Sequence, residues 1–368
     1  MIPLIVDLET EWRGGQGQAF LLLKGLYERG HAAELLTTQG SPLGRRARRE
    51  GIYVHDVSPR MLRLAAARTI RTLLRDARFE LVHANEPHAL TSAWLAGAHN
   101  IVPLLVSRRV AYPLKQGPLA RKRYLAAHRI LAISHFVKKS VLDSGIPPEI
   151  VELVYEGVEV PAPATPEARA SARQHWCVNL QEILFGCVGY LLPEKGQEYV
   201  VRAFPAVRAK YPNARLLLAG DGPCRSNLEE LSRALGLTEA VIFAGFVTDI
   251  AQVYAALDAF VFPSLAEPLG TSLLAAMAWG LPVLAVASGG VPEYVEPDLN
   301  GLLVSHPEQG LFSAEMLRLL RQPELAKRLG AAARDAIQKR FSADRMVENT
   351  LAVYEALAGA GTGVPGSE

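Results

Sequence analysis

The sequence predicts an α/β protein of two doubly wound domains, each a parallel sheet flanked by helices. Three observations carry this. Short apolar runs that end in Gly, Pro or Ser alternate with helical periodicity along the chain, the pattern of parallel strands buried on both faces. The length of 368 residues exceeds one ordinary core at about 150 residues per domain. Residues 160–168, VPAPATPEA, are rich in Pro and Ala without periodicity and read as a linker between domains at 1–160 and 169–342.

Composition narrows the classes. A chain that is 49% hydrophobic and 21% charged is ordinary for a soluble α/β protein, and no apolar run reaches the 18 or so residues of a membrane span. The start, MIPLIVDLETEW, lacks a basic region and turns acidic, so it reads as a first strand and not a signal peptide. Cys177, Cys187 and Cys224 have no metal-ligand spacing and point to reduced thiols in a cytoplasm. The nine histidines form no zinc pattern and no Asp-x-Asp pair occurs, so no metal is expected. The net charge of +2 hides an asymmetry: residues 1–160 hold 22 Lys and Arg against 15 Asp and Glu, or +7, leaving −5 for the rest.

In the first half, residues 2–8 read as a strand, 11–18 as a glycine-rich loop containing Gly14 and Gly15, 19–29 as a helix and 32–37 as a second strand. Such a loop can bring backbone N–H groups to a phosphate, although its spacing fits neither the Walker nor the dinucleotide form. Arg60, Arg63, Arg68, Arg71, Arg75 and Arg78 recur at three to five residues opposite Leu62, Ala66, Ile70, Leu73 and Leu74, which predicts an amphipathic helix with a basic face. That face is either simply solvated or attracted to anionic headgroups or a phosphorylated acceptor. Strands follow at 79–84, 104–106 and 129–134, with a basic loop and helix carrying Arg108, Arg109, Lys115, Arg121, Lys122 and Arg123. A short helix spans 136–144.

In the second half, strands at 183–190, 216–219 and 241–243 each run into a glycine turn: Gly189-Tyr190, Gly220-Asp221-Gly222 and Gly245-Phe246. The stretch 257–293 is the most informative. Residues 259–263 read as a buried strand and Glu267-Pro268-Leu269-Gly270 as a turn. A helix over 270–279 aims its first N–H groups back at the strand end, which suits a phosphate. A strand at 282–287 then enters Gly289-Gly290-Val291-Pro292-Glu293, and the chain closes with a strand at 302–304, helices at 313–321, 323–340 and 343–357, and a tail at 361–368 whose composition is that of disorder.

The order Pro-Ser-x-x-Glu-x-x-Gly, Ala-Met-Ala-x-Gly-x-Pro-Val, Gly-Gly-Val-Pro-Glu is similar to the retaining, nucleotide-sugar-dependent glycosyltransferases of the GT-B fold, fourth sequence family. The resemblance spans almost the whole chain, most closely 183–304. It implies two Rossmann-like domains facing a central cleft, with helix 343–357 packing back on the first. It implies that Glu267 contacts the donor sugar and Lys195 the diphosphate, with Gly14, Gly15, Tyr190, Gly220, Gly245, Phe246, Leu269, Gly270, Thr271 and Glu293 around the donor. It places Asn85 with Glu267 and Lys195 among the catalytic candidates, near the donor sugar, and on the acceptor side it implies His83, Arg108 and Arg109. Three positions depart from the family pattern: the second glutamate is Ala275, the diphosphate arginine is Tyr190, and the second histidine of His-x-His is Asn85. Asn85 can position a sugar hydroxyl but cannot act as a general base. Glu293 is the next candidate for the ribose, and Arg13 or Arg225 for the missing cation.

The implied activity is metal-independent transfer of a sugar from a nucleotide-sugar substrate, without other cofactor, to a carbohydrate or lipid-linked acceptor of anionic character. The place is envelope polysaccharide or lipopolysaccharide assembly, in the cytoplasm at the inner membrane leaflet, and no nucleic acid is involved. The alternatives are a sugar-nucleotide epimerase of the same fold and a degenerate, glycosyltransferase-like binding partner.

Overall fold

The computed structural model describes residues 1–114 and 117–361. It divides into two compact units, Met1–Gly157 with the stretch from Ala343, and Val158–Ser342. Lys115 and residues 362–368 of the tail lie outside the described residues.

The first unit contains the strands β1 (Pro3–Asp7), β2 (Glu34–Thr38), β3 (Val54–Val57), β4 (Leu81–Ala84), β5 (Leu104–Arg108), β6 (Arg129–Ala132) and β7 (Val151–Leu153). Its helices are α1 (Gly14–Glu28), α2 (Pro42–Arg49), α3 (Leu62–Leu73), α4 (Pro87–Leu95), α5 (Pro118–Leu125) and α6 (His135–Asp143). The strands form one parallel sheet in the order β3-β2-β1-β4-β5-β6-β7, with Ile5 beside Leu35 on one side and His83 on the other. All five residues of β1 are buried, because helices cover both faces of such a sheet.

Several helix starts differ from the sequence reading. The glycine-rich segment is not a loop: Gly14 and Gly15 are the first residues of α1, and the Gln16 side chain accepts the Arg13 N–H at 3.2 Å. This local bond offsets the low helix propensity of glycine. Two unanticipated helices begin with an N-cap followed by Pro. Ser41 accepts from the Gly44 N–H at 3.0 Å for α2, and Glu86 accepts from the Ala89 N–H at 2.6 Å for α4. Both obey the rule that Pro tolerates the first helical position. The basic helix is shorter than 60–78, since it starts after Met61, loosens into a 3-10 turn at Leu74–Asp76 and ends at Ala77.

The second unit contains α7 (Pro166–His175), β8 (Ile183–Val188), α8 (Gln197–Arg208), β9 (Ala214–Ala219), α9 (Arg225–Ala234), β10 (Val241–Gly245) and α10 (Ile250–Ala256). It continues with β11 (Ala259–Phe262), α11 (Thr271–Ala278), β12 (Val283–Val286), β13 (Leu302–Val304), α12 (Gln309–Arg321) and α13 (Pro323–Arg340). The end of the stretch read as linker is helical, because Thr165 caps α7 by accepting from the Ala168 N–H. The parallel sheet has the order β10-β9-β8-β11-β12-β13, and its core joins Phe185, Phe204, Phe312, Met316 and Leu329. Arg173 of α7 is buried yet satisfied, donating to the carbonyls of Asn179 and Ala256 at 2.8 and 3.0 Å and to Asp258 at 3.1 Å.

The last helix, α14 (Ala343–Gly361), belongs to the first unit. Val347, Leu351 and Tyr354 share a core with Leu22, Leu23 and Leu26 of α1.

Candidate functional site

In a parallel doubly wound sheet, ligands bind outside the carboxyl ends of the strands where the strand order reverses. In the second unit that point lies between β8 and β11. After β8, a 3-10 turn Pro193–Lys195 leads to Gly196, which caps α8. After β11, the turn through Glu267 leads to Gly270, the cap of α11.

These two turns meet. Lys195 Nζ lies 2.7 Å from Oε2 of Glu267, and Ser264 Oγ donates to the same oxygen at 2.9 Å. Glu267 is 8% exposed, so its charge is held by these two donors instead of by water. The backbone is tied as closely. Leu265 N–H reaches the Glu194 carbonyl at 2.8 Å, and Gly290 N–H reaches the Glu267 carbonyl at 2.9 Å. A Cβ on Gly289 would stand 1.9 Å from that carbonyl oxygen, so the approach requires glycine. Tyr294 donates to the Leu269 carbonyl at 2.6 Å. Burial first, then the charges of Glu267 and Glu293, push its phenol far up, so it stays a neutral donor.

Lys195, Glu267, Gly270, Thr271 and Glu293 thus belong to the linked turns of this strand edge. Leu269 is fully buried there, and its side chain serves packing. Of the remaining donor candidates, Gly14 and Gly15 lie in the first unit at the start of α1, and the others lie at the neighbouring strand ends. Gly220 N–H donates to the Gly245 carbonyl at 2.8 Å, and Leu191 N–H to the Asp221 carbonyl at 2.9 Å. Tyr190 and Phe246 are both largely exposed there. Of the two candidate replacement cations, Arg225 is engaged by Glu229 at 2.8 Å and Arg13 by Glu11 at 2.6 Å. Ala275 is half-buried one turn into α11.

The first unit has its own strand-order reversal, between β1 and β4. There Asp7, fully buried, accepts from Asn85 Nδ2 at 2.5 Å and Gln16 Nε2 at 3.0 Å. Burial raises its carboxyl above the usual range, against the lowering effect of these bonds. Asn85 Nδ2 also reaches the Gly15 carbonyl at 3.2 Å. Arg109 donates to the Asn85 carbonyl at 2.6 Å and to Glu156 at 2.7 Å. Asn85, Gly15 and Arg109 are therefore brought together. Sequence reasoning missed Asp7, Gln16 and Glu156; an Asp closing the first buried strand was the available signal.

Two acceptor-side candidates have other surroundings. His83 is buried, with Nδ1 2.6 Å from the Tyr354 hydroxyl and Nε2 2.8 Å from Ser107 Oγ. Burial, with Arg109 adding to it, lowers its pKa to about 3, so the ring is neutral and joins β4 to α14. Arg108 is buried as well, bonded to the Tyr112 carbonyl with its guanidinium 4.9 Å from that ring's centre. Both side chains are turned inward and not toward an acceptor. Among the described residues, the grouping of metal-ligand type is Glu9, Glu86 and His88, within 4.8 Å of one another. Glu86 already accepts the N–H groups of His88 and Ala89, and burial raises its pKa to about 7.

Comparison with known proteins agrees with this architecture. A family model described as Glycosyl transferases group 1 matches residues 169–336, and one described as Glycosyltransferase Family 4 matches residues 12–160. The crystal structure of Anabaena HepE in complex with UDP and glucose superposes with a TM-score of 0.86 at 21% identity, covering 96% of this chain and 99% of that one. The fold is GT-B. An uncharacterized glycosyltransferase of Methanocaldococcus jannaschii is 29% identical over 62% of this chain and 60% of its own length. A GDP-mannose-dependent monoacylated alpha-(1-6)-phosphatidylinositol monomannoside mannosyltransferase of Corynebacterium glutamicum is 33% identical over 54% of each chain. The matched region thus spans between half and two thirds of these relatives' length. The chain belongs to the group 1, family 4 glycosyltransferases.

Proposed function

We propose that the chain is a retaining glycosyltransferase that moves a sugar from a nucleotide-sugar to a hydroxyl of a carbohydrate or lipid-linked acceptor in envelope polysaccharide or lipopolysaccharide assembly. The observation that carries this is the Lys195–Glu267 pair, 2.7 Å apart, at the strand-order reversal of the second unit. A departing nucleoside diphosphate needs positive charge where its own charge grows. Lys195 and the first N–H groups of α11 supply it without a metal ion. Glu267 accepts hydrogen bonds from sugar hydroxyls and so orients the anomeric carbon, while Tyr190 and Phe246 offer exposed rings to the nucleoside. In the first unit, Asn85 positions a sugar hydroxyl and Arg109 serves the acceptor.

The acceptor is anionic or membrane-bound in this reading. Arg63, Arg68, Arg71 and Arg75 are exposed on or just beyond α3 and have no carboxylate partner among the described residues. Exposed Met61 and Leu64 stand beside them. This combination suits the headgroup region of an anionic leaflet. No helix among the described residues is long and apolar enough to cross a membrane. The named mannosyltransferase relative uses GDP-mannose and a lipid acceptor, which supports a lipid-linked substrate here.

The test is a panel of UDP- and GDP-sugars with released nucleoside diphosphate as signal, first without and then with lipid-linked and phosphorylated acceptors. Acceptor-dependent release with retained anomeric configuration is expected. Binding without turnover would support the degenerate partner, for which Tyr190, Ala275 and Asn85 speak. Free monosaccharide released from a donor without acceptor would support the epimerase.

A further inference from the structure

Ser264 stands just past the carboxyl end of β11 and is 1% exposed. Its hydroxyl has two acceptors in reach, Oε2 of Glu267 at 2.9 Å and the Glu194 carbonyl at 3.5 Å. The nearer one carries charge and takes the proton. The Ser264 carbonyl is itself pinned by Ser288 Oγ at 2.7 Å, so the residue is fixed from the β12 side as well.

Both hydrogen bonds to the Glu267 carboxylate among the described residues fall on Oε2, from Lys195 and Ser264. Oε1 takes part in neither bond and is left to accept from a ligand. The two donors differ in freedom. The Lys195 side chain is long and 28% exposed, whereas Ser264 is short and enclosed. A diphosphate drawing Lys195 toward itself would remove one donor from Oε2 and leave the other in place.

We propose that Ser264 is a positioning residue for sugar transfer. It holds Oε2 of Glu267 while Lys195 serves the diphosphate, and so keeps Oε1 presented to the donor sugar. This rests on the transferase reading, in which Glu267 orients the sugar and Lys195 binds the diphosphate.

The experiment uses the full chain and the donor that the wild type turns over. Ser264→Ala, Ser264→Thr, Glu267→Gln and the Ser264→Ala/Glu267→Gln double variant are compared in kcat, donor KM and nucleoside diphosphate affinity. Ser264→Ala should lower kcat about 10- to 100-fold, the worth of a hydrogen bond to a charged group, with nucleotide affinity changed less than about twofold. Ser264→Thr, which keeps the hydroxyl, should recover part of the rate. The double variant should be no slower than Glu267→Gln alone, because Ser264 acts only through that carboxylate. Wild-type turnover with an unimpaired Ser264→Ala, or losses that multiply in the double variant, would overturn the proposal while leaving the transferase reading intact. Absence of turnover by the wild type with every donor would overturn both. Should Ser264→Ala fail to fold, Ser264→Cys, a weak donor of similar shape, enters the same cycle with the same two deciding outcomes.

Discussion

Lys195 Nζ and Oε2 of Glu267, 72 positions apart in the chain, form a 2.7 Å ion pair. The side chain proposed for the diphosphate and the one proposed for the sugar therefore contact each other directly. Glu267 is nearly enclosed, and an enclosed carboxylate that loses its cation is costly unless another donor remains.

Lys195→Ala and Glu267→Ala should each lower transfer by orders of magnitude, but by different routes. Removing Lys195 should weaken nucleoside diphosphate binding by about 1.5 to 3 kcal/mol, while Glu267→Ala leaves it nearly unchanged. Calorimetric titration of both variants decides this, and equal nucleotide affinity would refute the division of roles.

Ala275 lies half-buried one turn into α11, where a longer side chain has an outlet. Ala275→Glu should tighten nucleotide binding by about 1 to 2 kcal/mol if only a ribose contact is missing. Unchanged affinity in a folded variant would place the ribose contact elsewhere, with Glu293 next to be substituted.

His83 and Glu86 predict opposite pH effects on stability. The unfolded chain protonates His83 below about 6.5, but the native ring only near 3. Stability should thus fall as pH drops through that window, by about 1.4 kcal/mol per unit. Glu86 has a native pKa raised from 4.5 to about 7, so its contribution is lost as pH rises from 4.5 to 7. Denaturant melts of Glu86→Gln should expose the His83 slope, and His83→Gln in that background should reduce it, the remainder coming from His31 and His128, whose pKa values burial also lowers. A slope left unchanged by His83→Gln would assign it to another group.

Co-sedimentation with anionic vesicles should detect binding that neutral vesicles do not show. It should weaken with salt, since exposed charges are screened over about 8 Å at physiological ionic strength. Changing Arg68, Arg71 and Arg75 to Ser should reduce it severalfold. Equal failure with both vesicle types, together with efficient transfer to a small uncharged acceptor, would remove the membrane from the reading.

Much of the second unit was legible because its signals are local. A strand buried on both faces reads as an unbroken apolar run, and the turns after β8, β11 and β12 carry glycines wherever backbones nearly touch. Helix α13 was read at its observed bounds, since Pro323 opens it and its periodicity is unbroken to Arg340. The starts of α2 and α4 are also written locally, as Ser41-Pro42 and Glu86-Pro87, but the arginines within 43–49 and the strand end that runs into 85–88 mask the helical periodicity. The start of α1 was not legible from propensity, because three glycines in four residues argue against a helix until the Arg13–Gln16 bond is seen.

By itself, then, the sequence determined the alternation of strands and helices, the parallel α/β class and the family pattern around Glu267. Tertiary structure alone decided which distant side chains meet. Asp7 touches Asn85 because β1 and β4 are neighbours in the sheet. His83 is turned from a candidate ligand into a neutral buried link by Tyr354, 271 positions away. Arg108 is drawn inward by Tyr112 and Tyr124. Burial and pairing depend on strand order and on which helix covers which face, and these follow from the packing of the whole unit, which no local run of residues encodes.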